Sequence, residues 1–336
     1  MGSEKIKFVV VGCGHIGKRH AYMINQNENA QLVGLVDQDP LNSATLEAQF
    51  STKFIGDFDL FIQSKLDVDI VCICTPNGLH AYQSVKCLEA GYHVVCEKPM
   101  ALSVSDCEKV LSASKTFQRN FFCVTQNRYS PPAQWLHEII AGNKLGEIYV
   151  VQVTGFWNRN NRYYKNSWKG TIGLDGGTLF TQFSHFVDTL HWLFGQIQIT
   201  GATLKNFNHT SIEFEDTGLF TFSLPHGGIG SFSYSTSIWD KNMESTITII
   251  GENGTVKVGG QYMEDVVYCH IKDYQFEPQK LAAVPVTFGT YSGSAANHYL
   301  LINDVIKALN GFPTQLASTE ECVSVVKTIS DVYSFK

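Results

Sequence analysis

The chain has 336 residues, 44% of them hydrophobic and 17% charged, with a net charge of −6 and a pI of about 6.0. That length suits two domains with sizeable apolar cores, and the negative balance excludes a nonspecific binder of nucleic acid or anionic membrane. No apolar run is long enough to cross a bilayer, and the start lacks the regions of a signal peptide. Nine scattered cysteines without C-x-x-C pairing therefore read as reduced thiols of a cytoplasmic protein, with no zinc site or disulfide framework.

The first element is a β-branched strand, Phe8-Val9-Val10-Val11, that breaks on Gly12-Cys13-Gly14-His15-Ile16-Gly17. A helix-like stretch follows, and a second apolar run, Leu32-Val33-Gly34-Leu35-Val36, ends on Asp37. A G-x-G-x-x-G between strand and helix, with an acid about twenty residues on, is a dinucleotide fingerprint. Its glycines permit a tight turn, close approach of a pyrophosphate and close helix–strand packing. The helix N-terminus offers free N–H groups to the phosphates. Asp37 would accept from ribose hydroxyls and repel a 2′-phosphate, which favours NAD over NADP. A glycine turn without a ligand is the alternative.

Further apolar runs at 69–74, 92–96 and 121–125 alternate with helical stretches at 78–90 and 103–118. This is the pattern of a doubly wound parallel sheet with helices on both faces. Thr75-Pro76-Asn77-Gly78-Leu79-His80 follows the third run and Glu97-Lys98-Pro99 the fourth. Both segments lie where open α/β sheets bind ligands, at strand carboxyl ends. Pro99 restricts Lys98 to extended backbone, and an X-Pro bond can be cis.

The texture changes near residues 124–128. A helix over 130–142 and a strand over 146–157 lead to strand-like runs from 198 to 272, broken by turns such as Pro225-His226-Gly227-Gly228. These predict an open, mostly antiparallel sheet with helices on one face, flanked by helices at 178–194, 295–310 and 318–333. The expected division is a dinucleotide domain, 1–125, and a substrate and oligomerisation domain, 126–336, whose last helix could pack on the first, with the active site in the cleft between them. Gln182, His185 and Asp188 share a face of the 178–194 helix by i, i+3 spacing. A histidine there is structural as readily as catalytic. The stretch Trp157–Lys165 places Arg159, Arg162 and Lys165 among aromatics and amides on one loop, suited to phosphate or carboxylate. Asn297-His298 could cap a helix or reach a neighbouring subunit.

Gly12–Gly17, Thr75–His80, Glu97-Lys98-Pro99 and His185-x-x-Asp188 together resemble the glucose–fructose oxidoreductase/inositol dehydrogenase family over essentially the whole chain. One departure is informative. Many members carry Asp four residues and Gly two residues before the histidine, where this chain has Thr181 and Phe183. With Gln126-Asn127-Arg128-Tyr129-Ser130-Pro131 and Ser167-Trp168-Lys169-Gly170-Thr171, the set resembles the subgroup of UDP-N-acetylglucosaminuronate 3-dehydrogenases of O-antigen synthesis. The resemblance implies NAD as cofactor and a sugar or nucleotide-sugar substrate. It places Lys98 beside the nicotinamide and His185 at the substrate carbon, as the catalytic pair. The expected cofactor contacts are Gly12, Gly14, His15, Ile16, Gly17, Asp37, Thr75, Asn77, His80, Glu97, Lys98, Gln126 and Trp168. The expected substrate contacts are Lys98, Arg128, Tyr129, Arg159, Arg162, Tyr163, Lys169, Gln182 and His185.

Three functions remain open on the sequence: a nucleotide-sugar dehydrogenase, a dehydrogenase or oxidoreductase of free sugars or inositols, and a non-catalytic nucleotide sensor. Either enzyme is expected as a homodimer or homotetramer, assembled through the open face of the second sheet. The run Ile247-Thr248-Ile249-Ile250 carries more apolar surface than a solvated face needs.

Overall fold

The structure, a computed structural model, describes residues 5–277 and 297–335. The chain divides into two compact units, residues 1–125 with 298–323 and residues 126–297 with 324–336.

In the first unit six strands, β1 (Ile6–Val11), β2 (Ala30–Val36), β3 (Lys53–Ile55), β4 (Ile70–Ile73), β5 (His93–Cys96) and β6 (Phe121–Cys123), lie in the order 3-2-1-4-5-6. Every pairing is parallel. Phe8, Val9, Val10, Val71 and Cys72 are fully buried, because helices on both faces leave no strand surface to water. The helices are α1 (His15–Gln26), α2 (Pro40–Phe50), α3 (Phe58–Gln63), α4 (His80–Glu89) and α5 (Val104–Phe117). The order reverses between β1 and β4, so the Gly12 loop and Thr75 stand together at the switch point. Elements α2, α3 and β3 are short and carry mixed polarity, and no apolar period announces them. A helix α6, His298–Leu309, also belongs to this unit and buries Leu301, Ile302, Val305 and Ile306. The first residues of the helix expected over 295–310 lie outside the described residues.

The second unit holds helices α7 (Pro131–Ala141), α8 (Asn161–Tyr164) and α9 (Ser184–Phe194). Its seven strands are β7 (Ile148–Phe156), β8 (Gln198–Lys205), β9 (Thr217–Ser223), β10 (Ile229–Ser235), β11 (Glu244–Gly251), β12 (Gly254–Gly259) and β13 (Asp265–Ile271). Their order is 13-12-11-7-10-9-8, antiparallel except where β10 runs parallel to β7. The chain leaves β7, crosses through α9 to the edge strand β8 and returns by two reversals, which brings β10 alongside β7 in the same sense. A last helix, α10 (Thr319–Ser334), begins in the first unit and ends in the second.

One face of this sheet is the core. Phe183 and Phe186 pack on Phe232 with ring centroids 6.1 and 5.5 Å apart, and Phe220, Ile247 and Ile249 are fully buried beside them. The other face is uncharged across its centre. Ile229, Val150 and Ile250 form one row, Ser231, Gln152 and Thr248 the next, and Ser233, Thr154 and Thr246 a third. Of the run Ile247–Ile250, Thr248 and Ile250 point outward and the other two isoleucines inward, as the two-residue period requires.

The segment expected as one helix over 178–194 is two elements. Leu179–Phe183 is a π-helical turn and α9 starts at Ser184. Gly155 on β7 makes the wider turn possible, because a Cβ there would stand 2.6 Å from the Phe183 ring. π-Turns of this kind interrupt helices most often at functional sites.

Candidate functional site

The glycine loop in the first unit is built for a close anionic group. Gly12 has φ +86°, and a Cβ there would meet the Cys74 carbonyl at 2.8 Å. A Cβ on Gly17 would stand 1.8 Å from the Gly12 carbonyl oxygen, so the turn and helix α1 touch backbone to backbone. Gly14 differs: nothing lies within 4 Å of its Cβ position. Gly14 is the N-cap of α1 and brings no side chain to the helix N–H groups. Open space in front of uncapped donors fits a pyrophosphate. His15 and Ile16 form the first turn, the former exposed.

Asp37 is tied to this loop. Its Oδ2 accepts from Cys13 N–H at 2.6 Å, and its Oδ1 from Asp39 N–H at 2.8 Å. Thr75 donates to Gln83 at 2.6 Å and Asn77 is buried. His80 is buried with both ring nitrogens against carbonyls, Nδ1 at 2.7 Å from Pro99 O and Nε2 at 2.9 Å from Thr75 O. Burial pulls its pKa down, against the two carbonyls and Glu97, which favour the charged ring. His80, expected as a cofactor contact, thus ties the loop after β4 to the loop after β5. Glu97, expected there too, turns inward onto His20 and His298 at 2.9 and 3.0 Å. His298 is accordingly buried in its own unit rather than available to a neighbouring subunit. Lys98 is half-buried, and its bond to Pro99 is cis.

In the second unit the polar residues converge on Arg159. Its Nε donates to Gln182 Oε1 at 2.8 Å, and Gln182 Nε2 donates to the Tyr163 hydroxyl at 2.6 Å. The Arg159 guanidinium lies 5.0 Å from the Trp157 ring and 5.3 Å from that of Tyr163. Lys169 Nζ lies 4.4 Å from the Tyr163 ring and 5.5 Å from that of Trp168. Two cations thus share one tyrosine ring. Burial first, and Arg159 in addition, push the Lys169 pKa down, while Asp175 opposes them. Asp175 accepts from Thr181 Oγ1 and from Gly170 N–H, fixing the turn that carries Lys169. Arg162 stands exposed on α8, outside this network.

His185 is 8% exposed on the first turn of α9. Asp188 lies on the same face. It holds Arg128, whose Nε and Nη2 donate to Oδ2 and Oδ1 at 3.1 and 2.8 Å, both residues being buried. Arg128 therefore meets a carboxylate inside the fold, and Tyr129 is buried beside it. Gln126 is buried with its Oε1 unpartnered.

Sequence reasoning missed three buried groups. His209 Nε2 lies 2.5 Å from the Arg159 carbonyl and Nδ1 3.1 Å from Asp216, so this pair seats the backbone of Arg159. Glu215 accepts from the Tyr234 and Tyr333 hydroxyls at 2.9 and 2.7 Å, and the Tyr333 oxygen in turn accepts from Leu179 N–H of the π-turn. His20 and His298 reach Glu97 from 77 and 201 residues away in sequence. No spacing rule relates such distant partners.

Among the described residues no helix is long and apolar enough to cross a membrane, and all nine cysteines are free, eight of them buried.

The "Oxidoreductase family, NAD-binding Rossmann fold" model matches residues 6–124, and the "GFO/IDH/MocA C-terminal domain" model matches residues 133–257. The WlbA dehydrogenase of Bordetella pertussis, solved in complex with NADH and UDP-GlcNAcA, is 30% identical with a TM-score of 0.90, over 100% of this chain and 96% of that one. The 2,7-anhydro-N-acetylneuraminate hydratase of Escherichia coli is 29% identical over 263 residues, 76% of this chain and 68% of that protein. The glucose-6-phosphate 3-dehydrogenase of Bacillus subtilis is 26% identical over 204 residues, 60% of this chain and 57% of that protein. The chain belongs to the GFO/IDH/MocA oxidoreductase family, with the NAD-binding Rossmann fold in its first unit and the family's C-terminal domain in its second.

Proposed function

We propose that the protein is a cytoplasmic NAD-dependent dehydrogenase that oxidises a secondary alcohol, C3, of a UDP-linked N-acetylaminosugar uronate in surface polysaccharide synthesis. The observation that carries the substrate is the pair of cations, Arg159 and Lys169, meeting on the ring of Tyr163. A nucleotide sugar uronate brings a diphosphate and a carboxylate, and guanidinium forks suit both. A free sugar or inositol brings neither anion to these partly buried cations. The whole-length likeness to a dehydrogenase solved with UDP-GlcNAcA supports the same reading.

The first unit takes the dinucleotide, with Gly12, Gly14 and Gly17 at the pyrophosphate and Asp37 on the ribose. The second takes the sugar nucleotide and carries the interface between subunits. NAD, when bound, supplies the hydride acceptor. His185 receives the hydroxyl proton, since histidine titrates near working pH. Lys98 stabilises the developing alkoxide by its charge. Arg159, steered by Gln182 and by its seat on His209, orients the anionic part of the substrate.

Arg159→Ala and Lys169→Met test the assignment. Each is expected to raise KM for UDP-GlcNAcA by about ten- to a hundredfold, the worth of one charge-assisted contact, with NAD affinity unchanged. An unchanged KM in both variants would remove the nucleotide-sugar reading.

A further inference from the structure

The buried cluster of His20, Glu97 and His298 has no part in the chemistry assigned so far. It joins three separate elements at one oxygen. Glu97 Oε1 lies 2.9 Å from His20 Nε2 on α1 and 3.0 Å from His298 Nε2 on α6. All three residues are at most 6% exposed. One acceptor oxygen facing two ring nitrogens requires each ring to donate an N–H through Nε2. His20 Nδ1 has no partner. That suits a bare lone pair better than a stranded N–H donor, whose burial costs more. Both contacts have the length of N–H···O hydrogen bonds. A divalent cation would instead need both Nε2 lone pairs turned to it.

Glu97 therefore brings a buried carboxylate charge to the cluster. Burial alone would raise the Glu97 pKa, but the hydrogen bonds from His20 and His298 hold it well below the ordinary range. Burial keeps His20 neutral by pulling its pKa down. The other titratable groups that act on this charge are Cys72 on β4, Cys74 just after it, Cys96 on β5 and His80 on α4, with Arg19 acting on His20. Burial raises the pKa of all three thiols, so none competes as an anion near neutral pH.

Lys98 follows Glu97 directly and both its neighbours are pinned. Glu97 N–H bonds to the Ile73 carbonyl on β4 at 2.9 Å, while its side chain is held by α1 and α6. The Pro99 carbonyl is held by His80. We propose that Glu97 is a positioning residue for Lys98: seated on His20 and His298, its carboxylate fixes the turn that carries Lys98 and sets a negative charge one residue along the chain from it. The inference rests on the role proposed for Lys98 in alcohol oxidation.

Glu97→Gln keeps an oxygen that accepts from both histidines, exchanges the other oxygen for an NH2 and removes the charge. Oxidation of UDP-GlcNAcA by NAD is followed as kcat and KM across pH, beside Lys98→Met and a melting curve of each variant. The expected result for Glu97→Gln is a native melt, unchanged KM and kcat lower by about tenfold. The basic limb of kcat/KM should move to lower pH by about one pH unit, because an ammonium without its counter-charge loses its proton more readily. Should Glu97→Gln fail to fold, His298→Leu removes one donor and leaves the carboxylate; it is expected to lower kcat without changing KM.

Wild-type kcat and pH profile in a folded Glu97→Gln, or in His298→Leu, would show that the cluster only packs. Stoichiometric metal in the purified protein, lost together with activity on chelation, would show a metal centre instead and overturn the proposal. An active Lys98→Met removes the role of Lys98 itself. An inactive Lys98→Met beside wild-type Glu97→Gln removes only the part played by Glu97.

Discussion

Gly14 and Gly17 sit three residues apart in one loop, yet their substitution should fail in opposite ways. A methyl group on Gly17 would stand 1.8 Å from a backbone oxygen, and backbone does not yield as a flexible side chain does. Gly17→Ala is expected to lower the melting temperature sharply or to give insoluble protein. A methyl group on Gly14 meets nothing within 4 Å, at φ −66°, which alanine adopts freely. Gly14→Ala is expected to melt like the wild type and to lose NAD affinity in titration calorimetry by about tenfold or more, the equivalent of about 1.4 kcal/mol. Normal NAD binding by Gly14→Ala would mean that the phosphates do not approach this loop. The glycine pattern was legible in the sequence because each of its members answers to one steric demand. The partners of Glu97 were not, since His20 and His298 look like any buried histidine until the fold brings them to one oxygen. Arg128, expected at the substrate, pairs with Asp188, and a bidentate ion pair between residues 60 apart leaves no mark on spacing.

Among the elements, five strands of the parallel sheet could be read, because burial on both faces leaves unbroken apolar runs, whereas the three-residue edge strand β3 could not. The π-turn at Leu179–Phe183 could not. Its sequence has an ordinary helical period, and what widens it is tertiary: Gly155 makes room for Phe183, and the Tyr333 hydroxyl takes the Leu179 N–H. The parallel pairing of β7 and β10 was hidden for a related reason, since turn signals mark reversals but not which strands meet. The element contacts at α1, β5 and α6 also make a pH prediction. The His20 pKa is lowered by burial in the fold, while the unfolded value is about 6.5. Below that value the unfolded chain binds the proton that the folded one refuses, so stability present above pH ~6.5 is lost on acidification. The depressed Glu97 adds a second loss below its unfolded value of about 4.3. Melting curves should fall between pH ~7.5 and ~5.5, and His20→Gln should fall less steeply. A flat melting temperature over that interval in the wild type would contradict the burial of a neutral His20.

At the scale of the whole molecule, the outer face of the second sheet has nine central residues without a charge, in three rows across β10, β7 and β11, with Thr154 and Thr246 of the third row buried. Ile229 is 66% and Ile250 41% exposed there. Sheet faces left to water usually carry charges, and an uncharged apolar row marks an interface. Light scattering at micromolar concentration should give the mass of a dimer or tetramer, and Ile229→Glu should shift it toward the monomer. A monomeric wild type would contradict the assignment of this face. The choice of substrate turns on two cations around Tyr163. Its most direct test is NADH formation by the purified protein with NAD and, in separate reactions, UDP-GlcNAcA, UDP-GlcNAc, glucose and myo-inositol. NADH is expected from UDP-GlcNAcA, with kcat/KM about a hundredfold above that for UDP-GlcNAc, the worth of a buried charge-assisted contact to the carboxylate. Faster turnover of glucose or inositol than of UDP-GlcNAcA would contradict it.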